Sequence, residues 1–459
     1  MVIKDRGRFA TASGRIASPL RRVIHPRGIV PLVTALVLCH AAPAWAQRID
    51  EYLNPAVPGF GVQQGVTVTS RLHPEYDYLG LRLGDFIFHS EVIESAGYET
   101  NVTATQPAHG SSFLDTAATA QAVSDWGRDG LGVAVSVDNN LYFDQPRQTD
   151  TNWTASIGGS YDVGLDTVYV AYAHLNLNET PSDLGVPQLD SPITYRVDTV
   201  RLTYKAVFGK GTITPGVEVT NFNYDNGTVQ GQPYNQTYRN RVVITPSTAV
   251  AYDFDALRSV LGVLRYANAQ YTEPQQGSPT RNFNDISVLG GAGYDTGGLV
   301  RLRLLLGYEA RFFQSSAYKT IAAPIVEGSA IWNPTGLTTL TATIARYIEA
   351  SSTENTVGYI ESVAKVSVDH EFLPNVLFNA YAAAVRDVYS QSEGQQSFYS
   401  FGGGVTWLLN HHLRLAAIYN FSSRTSPGGP DSGNGLSNTQ IFAGYYSDNR
   451  FLLQLRIGL

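Results

Sequence analysis

The sequence predicts an all-β chain, a transmembrane up-and-down antiparallel β-barrel of about 18 strands, with 16 as the nearest alternative. Three observations predict it. From about Asp85 to Leu459, segments of 10–16 residues rich in Val, Ala, Thr, Tyr and Leu recur. The breaks between them alternate between short and long. Within many segments one face is apolar and the other polar or charged, the period-2 signature of a strand with lipid on one side and water on the other.

Composition narrows the class first. Of 459 residues only 15% are charged, below the quarter usual in soluble domains, and 43% are hydrophobic, so disorder is excluded. One Cys rules out an internal disulfide framework, and a net charge of −7 without a basic stripe rules out nucleic acid as a partner.

Residues 1–46 read as a signal peptide. Lys4, Arg6, Arg8, Arg15, Arg21, Arg22 and Arg27 face a single acid, Asp5. An apolar run follows from Gly28 to Cys39, then the small-x-small site Ala44-Trp45-Ala46. Neither the twin-arginine reading of Arg21-Arg22 nor a lipoprotein reading of Cys39 fits the flanking residues. Cleavage after Ala46 leaves 25 basic and 38 acidic residues and no Cys or Met, a composition suited to export. Residues 47–84, with Pro55 and Pro58 and few strand signals, form a periplasmic N-terminal segment that either plugs the barrel or serves as a docking arm. Residues 85–459 are the barrel.

The short breaks carry turn residues at hairpin length: Gly127-Arg128-Asp129-Gly130, Val163-Gly164-Leu165-Asp166, Phe208-Gly209-Lys210-Gly211, Asp253-Phe254-Asp255, Asp295-Thr296-Gly297-Gly298, Asn333-Pro334-Thr335-Gly336, Phe372-Leu373-Pro374-Asn375 and Asn410-His411-His412. Long polar loops such as 179–192, 226–237, 272–281 and 425–439 lie between them. Eight turns and nine loops connect 18 strands and return both ends to the periplasmic side. Residues 441–459 are taken as one strand rather than two split at Ser447-Asp448-Asn449.

Strand faces discriminate a barrel from a secreted sandwich or solenoid. In Val300–Phe313, Val300, Leu302, Leu304, Leu306, Tyr308, Ala310 and Phe312 share one face, while Arg301, Arg303, Glu309 and Arg311 share the other. At about 3.3 Å per residue this strand is roughly 45 Å long, enough to cross a bilayer at a tilt. Leu131–Phe143, Tyr359–Asp369 and Leu413–Phe421 show the same alternation, whereas Thr167–Leu177 shows no clean dyad. Trp126, Trp332 and Trp407 lie beside short turns and Trp153 beside a long loop, as interfacial girdles require. Phe451, Leu453, Leu455, Ile457 and Leu459 alternate to the last residue.

The stretch Arg71-Leu72-His73-Pro74-Glu75-Tyr76-Asp77 with Gly80, Arg82 and Gly84, then Gly97-Tyr98-Glu99-Thr100-Asn101, then Tyr446-Ser447-Asp448-Asn449-Arg450 together resemble the outer-membrane β-barrel porin family often encoded with exopolysaccharide assembly genes. Thr100 stands where that family tends to have an acid, and Asp448 where an Arg is common. The resemblance implies a bacterial outer-membrane protein that exports a surface polysaccharide with a periplasmic polysaccharide export protein.

No catalytic constellation emerges, and no enzyme, cofactor or metal is expected. His411-His412 falls in a turn, where adjacent imidazoles are solvated more often than metal-bound. His174 and His370 lie in strands without the spacing of a hydrolase. Loop 428–435, with Asp431 and Asn434, resembles a calcium loop only in composition. The functional candidates line the lumen: Arg201, Lys205, Arg301, Arg303, Arg311, Lys365 and Arg414 as cations, with Glu309, Glu361 and Asp369 balancing them. Such charges either guide an anionic or polyhydroxylated polymer or brace neighbouring strands. The predicted function is a monomeric polysaccharide-export channel in contact with outer-membrane lipid. A general diffusion porin and a surface adhesin or structural barrel are the alternatives.

Overall fold

Among the described residues eighteen long strands follow one another in sequence, each antiparallel to the next, and the three-residue strand Leu81–Leu83 pairs with the first of them. They are β1 Phe86–Glu99, β2 Ser111–Ser124, β3 Gly130–Tyr142, β4 Asp150–Val163, β5 Asp166–Glu179, β6 Ile193–Phe208, β7 Gly211–Tyr224, β8 Arg241–Asp253, β9 Arg258–Tyr271, β10 Phe283–Asp295, β11 Val300–Phe313, β12 Ile321–Thr335, β13 Thr338–Ala350, β14 Gly358–Leu373, β15 Val376–Tyr389, β16 Gln395–Leu408, β17 Leu413–Arg424 and β18 Tyr446–Gly458. The last strand pairs with the first, from Glu91↔Gly458 to Glu99↔Arg450, and closes the sheet. Closure matters physically because a bilayer offers no water to satisfy an open edge. This computed structural model describes residues 49–61, 66–183, 189–274, 277–352, 356–390, 394–424 and 445–459. The expected signal peptide (1–46) and the 428–435 loop lie outside those residues.

The alternation read from the sequence sets which face meets lipid. On β11, Leu302, Leu304, Leu306, Tyr308 and Phe312 are all exposed on the outside, while Leu305, Glu309 and Arg311 are buried on the inside. On β3, Val133, Val135, Val137 and Leu141 point out and Ala134 points in. At the C-terminus Phe451, Leu453, Leu455, Ile457 and Leu459 are exposed, and the intervening Leu452, Gln454 and Arg456 are buried. Each large apolar side chain left in water would cost about 1.5–3 kcal/mol, so so many of them on one surface need a hydrocarbon solvent. Trp126, Trp332 and Trp407 are exposed beside the short turns. Tyr98, Trp153, Tyr266, Tyr308 and Tyr399 are exposed toward the opposite rim.

Two expected turns are longer strands than the sequence indicated. Residues 333–335 remain in β12 through a register shift between Trp332 and Thr335, and β14 runs to Leu373 through another between Glu371 and Leu373. A bulge absorbs the extra residues there, which include Pro334 with no N–H to give the ladder. The Ser447-Asp448-Asn449 stretch is continuous strand, paired to Phe421, Ser422 and Ser423 of β17.

Candidate functional site in the lumen

The inner wall is not bare. Residues 49–61 pack on it through Ile49, Leu53, Val57 and Phe60, which join Ala134, Ala171, Ala173, Leu175, Leu177, Tyr195 and Val197 of β3, β5 and β6 in one apolar cluster. Here the wall is cut back to backbone: a Cβ on Gly158 of β4 would lie 2.0 Å from the Pro58 carbonyl oxygen, so only glycine admits the segment at this depth. Polar contacts fix it as well. Asn54 Nδ2 donates to Gln121 (3.0 Å), and Arg201 Nη2 donates to Asp50 (2.9 Å) while its guanidinium sits 5.4 Å from the Phe60 ring centroid. The apolar inner face of β5 also explains why its sequence shows no dyad: Ala171, Ala173, Leu175 and Leu177 face protein rather than water.

Residues 66–80 then run past the periplasmic turns. The Val68 amide donates to the buried Thr339 hydroxyl (2.9 Å), and Arg71 pairs with Glu371, which also lies 3.3 Å from His73 Nε2. Asp77 accepts from Arg414 (3.2 Å), its carbonyl accepts from His411 Nδ1 (2.9 Å), and the Arg414 guanidinium lies 4.4 Å from the Tyr78 ring centroid. The opening stretch that carries the family resemblance is therefore a row of ties from the N-terminal segment to three different turns.

At the other rim, described residues of several outer loops fold inward. The tip of the first, Ala104, packs on Val363, Val385, Phe398 and Tyr446 of β14, β15, β16 and β18. Residues 181–183 of the third are held from across the barrel by Arg424 of β17, whose Nη2 donates to the carbonyls of Pro181 (3.2 Å), Ser182 (3.3 Å) and Asp183 (3.2 Å). Arg239, in the fourth, forms a two-pronged pair with Glu179 (2.6 and 2.7 Å) and stacks 3.9 Å from the Tyr224 ring centroid. Tyr238 next to it donates to the Ser352 carbonyl (2.6 Å) in the loop after β13.

Between the N-terminal segment and these loops lies a cavity of about 290 Å³. Its lining contains Glu51, Glu99, Asp115, Asp138, Asp150, Asp183 and Asp448 against two cations, Arg450 and Arg456, together with Asn, Gln, Tyr, Ser and Thr side chains. Tyr52 of the N-terminal segment enters it with 41% of its surface exposed. A second, open cleft of about 480 Å³ lies at the outer rim, lined by Thr103, Thr105, His109, Arg147 and Asp190. Gln148 lines both.

The seam of the barrel forms one side of this cavity. Arg450 of β18 reaches Glu99 of β1 (3.4 Å), Asp115 of β2 (3.3 Å) and Asn140 of β3 (3.1 Å), and lies 4.1 Å from the Phe113 ring centroid. Beside it Thr100 Oγ1 donates to Asp448 Oδ1 (2.9 Å), which also caps the Asn101 amide (2.7 Å). The two departures from the family pattern thus fall on a single contact, where a hydroxyl and a carboxylate meet across the closing pair of strands.

The candidate residues fall into two groups. Arg201 is shared by Glu218 (2.7 Å) and Asp50. Arg301 pairs with Asp295 (2.7 Å), Arg311 with Asp285 (2.9 Å) and with the Ile348 carbonyl (2.9 Å), and Glu309 accepts the Ile348 amide (3.2 Å). Glu361 accepts the Tyr347 hydroxyl, and Arg414 pairs with Asp77. The others are more open: Arg303 is exposed, the exposed Lys365 Nζ sits 5.4 Å from the Tyr381 ring centroid, and Lys205 and Asp369 are half-buried. The histidines hold structure: His174 hydrogen-bonds Asp198 (2.8 Å), His370 hydrogen-bonds Thr338 (3.0 Å), and His412 donates to the Gly458 carbonyl (2.9 Å).

A family model described as "Putative beta-barrel porin 2" matches residues 73–446. The chain belongs to this porin family. It is accordingly an outer-membrane β-barrel channel protein of bacteria, seated in outer-membrane lipid. Similar solved structures include OccAB3 of Acinetobacter baumannii (11% identity, TM-score 0.45, covering 82% of this chain and 100% of that one) and a BenF-like porin from Pseudomonas fluorescens Pf-5 (13%, 0.43, 82% and 100%). Another is Pseudomonas aeruginosa OccK2 (OpdF) in complex with glucuronate (13%, 0.44, 82% and 99%). No curated protein matches the sequence.

The inward fold of the third outer loop is expected to depend on pH. Burial pushes the Asp183 carboxyl up to about 7, opposed by the Thr180 amide that donates to it and reinforced by the charge of Glu179. Arg424 of β17 favours the charged form from across the lumen. Asp150 of β4, Tyr52 of the N-terminal segment, Tyr195 of β6 and Tyr446 of β18 are the other titratable groups around it. A carboxyl raised when docked binds its proton more tightly than when released. The docked loop is therefore favoured at low pH and loses that advantage as pH rises from about 4 through about 7, by at most about 4 kcal/mol. Limited proteolysis of the porin in outer-membrane vesicles should cut this loop several-fold faster at pH 8 than at pH 5, and Asp183→Asn should flatten the difference.

Proposed function

We propose that this porin carries carbohydrate across the outer membrane, exporting a surface or extracellular polysaccharide together with a periplasmic export partner. The observation that carries the reading is a bore occupied from both ends, by the N-terminal segment and by inward-folded outer loops, around a hydroxyl-, amide- and carboxylate-lined cavity. A pore for general diffusion works open. A pore closed at rest needs an opener, and residues 66–80, tied to the turns by Arg71, His73 and Asp77, are placed where a periplasmic partner would reach them. In this reading residues 47–84 are plug and docking arm at once. Arg201 and Arg414 hold the arm in place, and Arg301, Glu309, Arg311 and Glu361 brace the wall. Lys205, Arg303, Lys365 and Asp369 face the path that opens when the arm moves. The porin acts as a monomer.

Deleting the gene should abolish display of a surface polysaccharide, and restoring the wild-type chain should recover it; normal display in the deletion strain rejects the export reading. A second reading, a diffusion porin for one small solute, is favoured by the cavity itself, whose size is near the lower limit of small-molecule sites. Liposome swelling by monosaccharides in the absence of any partner would support that reading instead.

A further inference from the structure

The lining of the central cavity carries seven carboxylates and two guanidiniums, a surplus of five negative groups when all are ionised. Arg450 is already committed to Glu99 and Asp115. The lining also carries neutral amides, each with one atom that lacks a partner among the described residues, and one of them, Asn420, stands opposite Arg450 in the β17–β18 pairing. Gln148 is 5% exposed and gives its Nε2 hydrogen to the Asp190 carbonyl, but its Oε1 accepts nothing. Asn420 is 3% exposed, and its Oδ1 accepts the Tyr381 hydroxyl, yet its Nδ2 donates to nothing. A native protein tolerates such orphaned amides where a ligand completes them. The same cavity is lined by Tyr52, Tyr142, Tyr195 and Tyr446, of which Tyr52 is exposed.

We propose that this cavity is a binding site for a sugar unit bearing a protonated amino group, a hexosamine rather than a neutral or uronic-acid sugar. The assignment rests on the carbohydrate reading above and adds its charge class. The C–H face of a pyranose packs on the exposed Tyr52 ring, which also attracts a nearby cation. Its hydroxyls accept from the Asn420 amide and donate to the Gln148 carbonyl. Its ammonium meets the carboxylates, of which Asp138 and Asp150 lie near the outer ends of the neighbouring strands β3 and β4. A uronate would bring a further negative charge into a space already in surplus, where repulsion between like charges is screened less than in bulk water. Gln148, which lines both this cavity and the outer cleft, is the contact such a unit would pass on leaving.

The test is equilibrium binding by calorimetry to the purified full chain in detergent. Glucosamine, its tetramer, the N-acetylated tetramer and a galacturonate tetramer are compared. The tetramer of glucosamine should bind at least tenfold more tightly than its N-acetylated counterpart, and galacturonate should not bind. Asp138→Asn combined with Asp150→Asn should remove that preference, with the heat-dependent gel shift of a folded barrel retained, and Lys365→Ala on the opposite wall should not. Equal affinity for the free-amine and N-acetylated tetramers overturns the inference and leaves the carbohydrate reading standing. Binding of galacturonate alone also overturns it. Failure of every sugar to bind overturns both. Glucosamine binding as tightly as its tetramer supports the amino-sugar assignment and points to a free solute rather than a polymer. The wild-type comparisons decide the matter even if the double variant does not fold.

Discussion

Gly158→Val should raise conduction through the barrel. The new Cβ would stand 2.0 Å from the Pro58 carbonyl oxygen and 2.8 Å from a Val57 methyl carbon. No rotamer change relieves a clash with backbone, so residues 55–60 must leave the wall. The side chain points inward, valine suits a strand, and the lipid face of β4 is unaltered, so the barrel itself should still form. What is lost is the burial of Val57 and Phe60, each worth about 1.5–3 kcal/mol. Planar-bilayer recording should show at least a tenfold rise in mean current over wild type. Unchanged current from a folded, inserted variant would mean that the segment does not obstruct the bore.

Arg450→Ala should cost the barrel more stability than any change on the lipid face. The guanidinium bridges four strands at the seam where the last meets the first, and its removal leaves Glu99 and Asp115 buried without their cation. Breaking a buried pair in this way costs about 3–5 kcal/mol. The expected readout is a fall in the temperature at which the folded form disappears on unheated gels, with a large unfolded fraction in assembly assays. Arg450→Lys should recover only part of the loss, since a single ammonium cannot contact both carboxylates and Asn140 with the planar fork of arginine. A variant as heat-resistant as wild type would show that the ladder alone, from Glu91↔Gly458 to Glu99↔Arg450, secures the seam.

The fold was legible because its determinant is local. On β11 lipid and lumen sit at alternate positions, and Leu302, Leu304 and Leu306 alternating with Arg301, Arg303 and Leu305 say so without any knowledge of the rest of the chain. The same rule failed on β5, and for a physical reason: its inner residues Ala171, Ala173, Leu175 and Leu177 are covered by residues 49–60, so both faces are apolar. The candidate site was legible only in part. Arg201, Glu309, Arg311 and Arg414 stand out as charges on strand faces, but whether each is free or paired depends on residues far away in sequence, such as Asp50, Asp285 and Asp77. Asp138 and Asn140 lie on the inward face of β3, where the alternation already placed them, yet their joining with Asp150 and Asp183 into one acidic lining comes only from closure of the sheet. Arg239 and Arg424 were invisible. Each holds an outer loop by contacts to Glu179 or to backbone carbonyls of residues 181–183, and loops have no periodicity to betray an inward fold.

Residues 49–60 lie inside a lipid-facing barrel, with Val57 fully buried against the inner wall. Residues 47–459 contain no cysteine, so a thiol introduced at position 57 is the only one in that stretch. Val57→Cys in intact outer membranes should resist a water-soluble maleimide until the barrel is unfolded by heat, with current as low as wild type. Rapid labelling of folded, inserted protein would place the segment elsewhere and leave the bore unobstructed.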